Sequence, residues 1–287
     1  MKNFLLAFLL LLPAAAGAAE PRRILVHGHR GSRGTHPENT LPAFAEALRA
    51  GADVLELDLA VTKDGALVVS HDPRIDPELC LGPDGAKLLS GPAIRSLPLR
   101  EVRGYDCGSL KNPRFPEQVP VPGTRIPTLD EVLLSAKSSP VEFNIETKIF
   151  PREPELAPAP DEFARLLAAA VKHHGLEARA IVQSFDVRTL KEVKRLAPRI
   201  RTSQLTSDDL VDILPALKAA RADFWSPFFE WAPAETIRQV QAAGIRVAPW
   251  TLNTPKDWEA AAASGVDAII TDYPAKLAAF LKEKKLR

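Results

Sequence analysis

Apolar positions along the chain fall into short runs, separated by longer stretches at helical spacing, and the two kinds alternate over most of its length. Ile24–His29 is a short apolar run ending in a Gly-containing turn, which predicts a buried strand delivering His29 and Arg30 at its C-terminal end. Leu41, Phe44 and Leu48 follow at helical spacing behind Asn39 or Thr40 as N-cap, with Pro42 at the start and Gly51 just past the end. Val54–Leu59 predicts the next strand. Side chains alternate between its faces, so Glu56 and Asp58 share one while Leu55, Leu57 and Leu59 share the other. Leu67–Ser70 is a further strand, ending at His71. The few residues around Lys63-Asp64-Gly65 are too few for a parallel crossover and predict a β-hairpin turning at Asp64-Gly65.

The alternation continues with strands over Val141–Lys148, Ala180–Ser184, Arg201–Leu205, Asp223–Ser226, Arg246–Trp250 and Ala268–Thr271. Helices between them are marked by Asp161–His174 closed by Gly175, Asp186–Leu196 stopped by Pro198, and Pro233–Ala243 closed by Gly244. Without the hairpin arm, eight parallel strands alternate with helices. The expected fold is therefore α/β, a single (β/α)8 TIM-type barrel with its active site at the C-terminal ends of the strands. An open doubly wound sheet is the other topology such alternation allows. His29, Glu56, Asp58, Glu146, Gln183 and Trp250 all fall at or near predicted strand ends.

One segment breaks the rhythm. Residues Pro73 to Pro127 are rich in proline and glycine, show little helical periodicity and enter directly after His71, which predicts an irregular cap covering or shaping the site. It ends at Thr128-Leu129-Asp130-Glu131, a capping box opening the helix before the Val141 strand. The two cysteines, Cys80 and Cys107, both lie inside it. Their spacing is unlike a zinc motif, and they are either a disulfide or two buried thiols.

The N-terminus reads differently. Lys2, the apolar run Phe4–Leu12 and Ala16-Gly17-Ala18 make a secretory signal peptide over residues 1–18, leaving 19–287 as one domain of the size expected for such a barrel. The run is shorter than the ~20 apolar residues a span requires, so no stable membrane anchor is expected and the destination is periplasmic or extracellular. The formal charge of +1 falls to zero without Lys2, and no basic face for nucleic acid is implied. Nothing in the sequence specifies an oligomeric state.

The polar residues at the strand ends carry the chemistry. His29-Arg30-Gly31, Pro37-Glu38-Asn39-Thr40, Glu56-Leu57-Asp58 and His71-Asp72 gather two histidines, an arginine and several carboxylates within the first quarter of the chain, and Glu146 and Lys148 add to them. That inventory suits metal-assisted chemistry on a phosphate. A phosphodiester repels nucleophiles and concentrates negative charge in its transition state, which a metal, Arg30 and Lys148 would stabilise. Arg30 can contact two phosphate oxygens at once. Two histidines could deprotonate the attacking hydroxyl and protonate the leaving alkoxide near neutral pH. Glu38 either orients Arg30 or caps the following helix. Gln183, Trp250 and Asn253 are expected to line the substrate pocket, with core packing the competing role for Trp250. His27 is expected in the barrel core and His173-His174 at a helix C-terminus, where the dipole favours them. Phe228-Phe229-Glu230-Trp231 is either an apolar rim for an acyl chain or a packing element, the latter slightly favoured.

The string of motifs, continued by Glu146-Thr147-Lys148, Gln183-Ser184-Phe185, Trp250-Thr251-Leu252-Asn253 and Gly265–Pro274, resembles the glycerophosphodiester phosphodiesterases over essentially the whole mature chain. The resemblance implies that His29 and His71 are the acid–base pair and that Arg30 is a phosphate ligand. It also implies that Glu56, Asp58 and Glu146 bind one divalent cation, with Lys148 near the phosphate. Three carboxylates without a thiolate favour Ca²⁺ or Mg²⁺ over zinc. His27, His36 and Pro249 are departures from the pattern. The activity implied is hydrolysis of a small-molecule glycerophosphodiester to glycerol 3-phosphate and an alcohol, with water or a neighbouring glycerol hydroxyl as first nucleophile. The alternatives are a phospholipase-like enzyme acting on intact lipid head groups and a catalytically inactive phosphate-ligand binding protein.

Overall fold

The computed structural model describes residues 23–209 and 212–287, so the leader expected at residues 1–18 lies outside the described residues. Eight parallel strands form the sheet: β1 (Leu25–Gly28), β2 (Val54–Val61), β4 (Glu142–Thr147), β5 (Ala180–Ser184), β6 (Arg201–Thr206), β7 (Phe224–Pro227), β8 (Arg246–Val247) and β9 (Ala268–Thr271). Their order is β8-β7-β6-β5-β4-β2-β1-β9. The edges meet through Asp267 N–H to Val247 O at 2.9 Å, Ile270 N–H to Pro249 O at 3.0 Å and Leu252 N–H to Ile270 O at 3.0 Å, so the sheet curls into a nearly closed barrel. The remaining strand, β3 (Leu67–Val69), pairs antiparallel with β2 in the register Leu59↔Val69, which is the expected hairpin.

Strand β8 is shorter than the sequence suggests. Pro249 has no N–H to give, although Ala248 and Trp250 still donate to Trp225 and Pro227 across the β7 edge. The chain therefore continues alongside the barrel as far as Trp250 without completing a ladder.

Helices surround the barrel. These are α1 (Leu41–Arg49), α3 (Leu129–Ser135), α4 (Pro160–His173), α5 (Val187–Leu196), α6 (Ile213–Ala220), α7 (Ala234–Ala242), α8 (Pro255–Ala263) and α9 (Pro274–Glu283), with the one-turn α2 (Leu99–Val102) inside the inserted segment. Thr40, rather than Asn39, caps α1, accepting from Ala43 N, and the helix stops where Gly51 takes φ +77°. The capping box of α3 forms as expected, with Thr128 N–H donating to Glu131 Oε2 at 2.8 Å. His174 caps α4, and its Nε2 lies 2.7 Å from Asp130 Oδ1 on α3, so it joins two helices besides meeting the dipole.

Two faces of each strand build two cores. Val26, Leu55, Leu57, Leu59, Phe143, Ile145 and Val182 pack outward against helix residues such as Phe44, Leu133, Phe163 and Leu190. Ile181, Phe224, Ala248, Ala268 and Ile270 fill the barrel interior and close it below the mouth. The inserted segment has a small core of its own, in which Ile75, Cys80, Ile94, Val102, Cys107 and Ile126 pack on Ala60 and Val68 of the hairpin. Cys80 and Cys107 are bonded to one another. The hairpin thus roots the insertion next to His71.

Candidate active site

Alternation in β1 sends Val26 to the outer core and Leu25 to the inner one, so His27 and His29 share the inner face. Strand β2 likewise turns its leucines outward and Glu56 and Asp58 inward. The β2–β4 register sets Glu56 opposite Asn144 and Asp58 opposite Glu146, which brings a third carboxylate level with the first two. One oxygen of each of Glu56, Asp58 and Glu146 lies within 4.8 Å of the others, and all three residues are buried.

Like charges this close in a buried site cannot all remain ionised unaided. Burial, with Asp58 and Glu146 nearby, pushes the Glu56 carboxyl well above its ordinary range, and burial also raises Glu146. Burial acts on Asp58 too, but the Lys148 and Arg30 charges hold it well below the usual carboxylate range. Lys148 Nζ lies 2.9 Å from Asp58 Oδ1 and 2.7 Å from Glu146 Oε1. Those two oxygens are buried without a well-aligned hydrogen bond. An all-oxygen donor set, in surplus negative charge and with two under-satisfied oxygens, fits a hard divalent cation.

Arg30 closes the cluster on the β1 side. Its backbone N–H donates to Glu56 Oε2 at 2.8 Å, its Nε lies 3.2 Å from Asp58 Oδ2, and its Nη1 donates to Glu38 Oε1 at 2.5 Å. The backbone reaches this arrangement through left-handed φ values at Arg30 (50°) and Gly31 (82°). A Cβ at Gly31 would come within 2.6 Å of the Ala43 backbone, so the turn lies flat on α1 and only glycine fits. Glu38 therefore orients Arg30 and does not cap the helix. Held by Arg30 and Arg33 against the cost of burial, its carboxyl sits below the usual range.

The two histidines occupy different settings. His29 Nδ1 lies 2.7 Å from Asp272 Oδ1, and its Nε2 lies 4.0 Å from Glu56 Oε2. Burial lowers the His29 pKa and outweighs the opposing pull of Asp272. His71 has a side chain 35% exposed, with Nδ1 3.0 Å from Asp72 Oδ1. It lines one small pocket together with Lys148 and Phe150. It also faces a cleft between the barrel mouth and the insertion, bordered by Glu38, Asn39 and the Cys80–Cys107 bridge.

Several partners of these residues have no part in the site that the sequence alone reveals. Asp272, at the end of β9, holds His29 across 243 residues of sequence. Asn39 donates Nδ2–H to Asp58 Oδ2 at 2.8 Å and accepts from the Asp58 N–H. The signal available for Asp272 was its position at the end of a barrel strand, inside the motif Thr271-Asp272-Tyr273-Pro274. Of the residues expected in the pocket, Asn253 gives Nδ2–H to Asp272 Oδ2 at 2.7 Å and accepts from the Asp272 N–H. Gln183 donates to Glu56 Oε1 at 2.6 Å and accepts from Asn144 at 2.9 Å. Trp250 is partly buried against the inner core and gives its indole N–H to Ser226 O. Phe228 packs on it with ring centroids 5.4 Å apart and on Phe229 at 5.0 Å, and the half-exposed Phe185 meets Trp250 edge-on at 6.0 Å, while Trp231 is also half exposed.

A parallel barrel with buried carboxylates, flanking cations and two histidines at its C-terminal mouth places the chain among the phosphodiesterase barrels. Residues 29–276 match the model of the glycerophosphoryl diester phosphodiesterase family. A glycerophosphodiester phosphodiesterase of Caldanaerobacter subterraneus is 34% identical over 260 residues, covering 89% of this chain and 96% of the relative. Another, from Bacillus subtilis, is 29% identical over 285 residues, covering 94% and 92%. A crystal structure from Silicibacter pomeroyi, assigned to the same class, superposes with a TM-score of 0.86 at 32% identity over 92% of this chain and 95% of that one. The chain belongs to the glycerophosphoryl diester phosphodiesterase family.

Proposed function

We propose that the protein hydrolyses water-soluble glycerophosphodiesters to glycerol 3-phosphate and an alcohol, using one divalent cation and the His29–His71 pair. The observation that carries this reading is the buried Glu56–Asp58–Glu146 cluster, level with Lys148 and Arg30 at the barrel mouth. Ca²⁺ or Mg²⁺ held by these carboxylates would supply Lewis-acid stabilisation of charge on the phosphoryl oxygens. Arg30 binds the phosphate, aimed by Glu38. Lys148 balances the carboxylates and faces the same oxygens.

Proton traffic follows from the histidine geometry. With Asp272 ionised, His29 donates Nδ1–H to it, which leaves Nε2 as the basic nitrogen turned toward the site. His29 accepts the proton of the attacking hydroxyl there. His71 lies in the more open setting, on the insertion side, and donates a proton to the departing alkoxide. A leader like residues 1–18 would deliver the enzyme to the periplasm or beyond, and the Cys80–Cys107 bridge suits such an oxidising compartment. Among the described residues no helix is long and apolar enough to cross a membrane.

The same purified protein should be offered a panel of deacylated glycerophosphodiesters and bilayers of intact phospholipid, with products identified by phosphorus NMR. Glycerol 3-phosphate from the soluble diesters, with little turnover of bilayers, is the expected result. Preferential attack on bilayers would shift the reading to the phospholipase-like alternative, with the half-exposed Phe185 and Trp231 as the lipid contact.

A further inference from the structure

Arg33 is buried, yet none of its guanidinium contacts reaches the carboxylate cluster. Its Nε donates to Glu38 Oε2 at 2.7 Å and its Nη1 lies 3.9 Å from Asp272 Oδ1. Those two carboxylates are the ones that aim Arg30 and His29 respectively. Arg33 thus stands between the orienting groups of the phosphate ligand and of the histidine, contributing a positive charge that both share. The Gly34 N–H donates to Asp272 O at 2.8 Å, fixing the same junction through the backbone.

The insertion supplies the seat for this arginine. The Arg33 guanidinium carbon lies 4.8 Å from the centroid of the Phe115 ring, and that ring meets Tyr273 edge-on at 6.4 Å. Asn112 Nδ2 donates to Glu38 Oε2 at 3.3 Å, and Gln118 Nε2 donates to both Arg33 O and His36 O at 2.9 Å. Asn112, Phe115 and Gln118 are all buried. A planar guanidinium can bond in its plane to Glu38 and stack its face on Phe115 simultaneously, which an ammonium cannot do. Irregular backbone from 112 to 118 is therefore packed onto the orienting groups of the active site.

We propose that Arg33 is a positioning residue for the reaction, tying the Arg30–Glu38 and His29–Asp272 pairs together, and that segment 112–118 of the insertion holds it in place. The inference rests on the phosphodiesterase reading given above. Loss of Arg33 frees Glu38 to rotate, and Arg30 then binds the phosphate less well. Loss of the stack on Phe115 acts on the same arginine from the insertion side.

The test uses the full-length mature enzyme with its cation, comparing wild type, Arg33→Met, Arg33→Lys, Phe115→Leu, Glu38→Gln and the Arg33→Met/Glu38→Gln double variant. Thermal melting accompanies kcat, KM and the inhibition constant for the product probe, sn-glycerol 3-phosphate. Arg33→Met is expected to weaken the probe and raise KM by about tenfold and to lower kcat as well. Arg33→Lys should recover less than a third of the lost affinity, and Phe115→Leu should weaken the probe severalfold. In the Glu38→Gln background, Arg33→Met should weaken the probe by less than a further twofold, because both act through one group. Unchanged inhibition constant and KM in Arg33→Met, full recovery by lysine, or fully additive losses in the double variant would each overturn the inference. If Arg33→Met fails to fold, Phe115→Leu decides, and an unchanged inhibition constant there counts against the proposal. A wild-type enzyme that releases no glycerol 3-phosphate overturns the underlying activity instead, and the two failures are distinguished in the same assay.

Discussion

Asp272 shows how much of the site depends on single contacts between distant residues. Its carboxyl is held below the usual range, against the cost of burial, by His29 and Arg33, and Asn253 takes its other oxygen. Asp272→Asn should release the His29 ring to either tautomer and lower kcat by about 10²-fold while changing KM little. Steady-state kinetics on a soluble diester checks this, and an equal rise in KM would instead make Asp272 a binding group. The histidines are separable by leaving group. A nitrophenolate barely needs a proton, so His71→Ala should lose about 10²- to 10⁴-fold on glycerol diesters and far less on nitrophenyl diesters, while His29→Ala loses activity on both. Comparable losses for each mutant on both substrates would remove the division of labour. Residues whose place in the site could be read from the sequence were those whose neighbours in space are neighbours in pattern: Glu56 and Asp58 by alternation, and His29 and Arg30 by the end of an apolar run. Asp272, inside the Gly265–Pro274 motif, and Arg33, just past the His29-Arg30-Gly31 turn, have no task legible in the sequence, because their partners are set by β9 closing beside β1 and by the insertion folding back.

Strands and their helices were legible because burial on two faces imposes a simple rhythm, and the departures have local causes. Pro249 cuts β8 short. The single turn Leu99–Val102 is too brief to show a helical period, so the insertion reads as irregular although it builds a core of its own. Strand β1 carries a further consequence. His27 is fully buried on its inner face, and neither ring nitrogen has a hydrogen-bond partner among the described residues. Burial, aided by the nearby Arg201 charge, lowers its pKa from 6.5 to about 3. Between those values the unfolded chain binds a proton at His27 that the native barrel does not. Stability is therefore lost as pH falls below about 6.5, by roughly 1.4 kcal/mol per pH unit from this residue. Denaturant titrations at pH 7 and pH 5 should show that His27→Leu has the shallower decline. An identical decline in both proteins would place the acid sensitivity elsewhere.

At the scale of the molecule, a barrel sets the chemical groups at its mouth and an insertion rooted in the β2–β3 hairpin covers one side of them. The Cys80–Cys107 bridge closes a loop across 27 residues of sequence, and on the chain-entropy model it stabilises by roughly 3 to 4 kcal/mol. Because its sulfurs belong to the insertion's own core, Cys80→Ser/Cys107→Ser should speed amide exchange in residues 73–127 well before the barrel strands respond. Uniform loosening of both would mean the insertion has no separate stability. The barrel and its cap serve one arrangement, three carboxylates gathered where a phosphodiester would bind, and a single titration tests it most directly. Purified enzyme is stripped with chelator, and release of glycerol 3-phosphate from a soluble glycerophosphodiester is followed as Mg²⁺ or Ca²⁺ is added back, alongside Glu56→Gln, Asp58→Asn and Glu146→Gln. No turnover is expected in the stripped enzyme, with recovery on added cation and no recovery in the three variants at the concentrations that restore wild type. Full turnover by exhaustively stripped wild-type protein would contradict it.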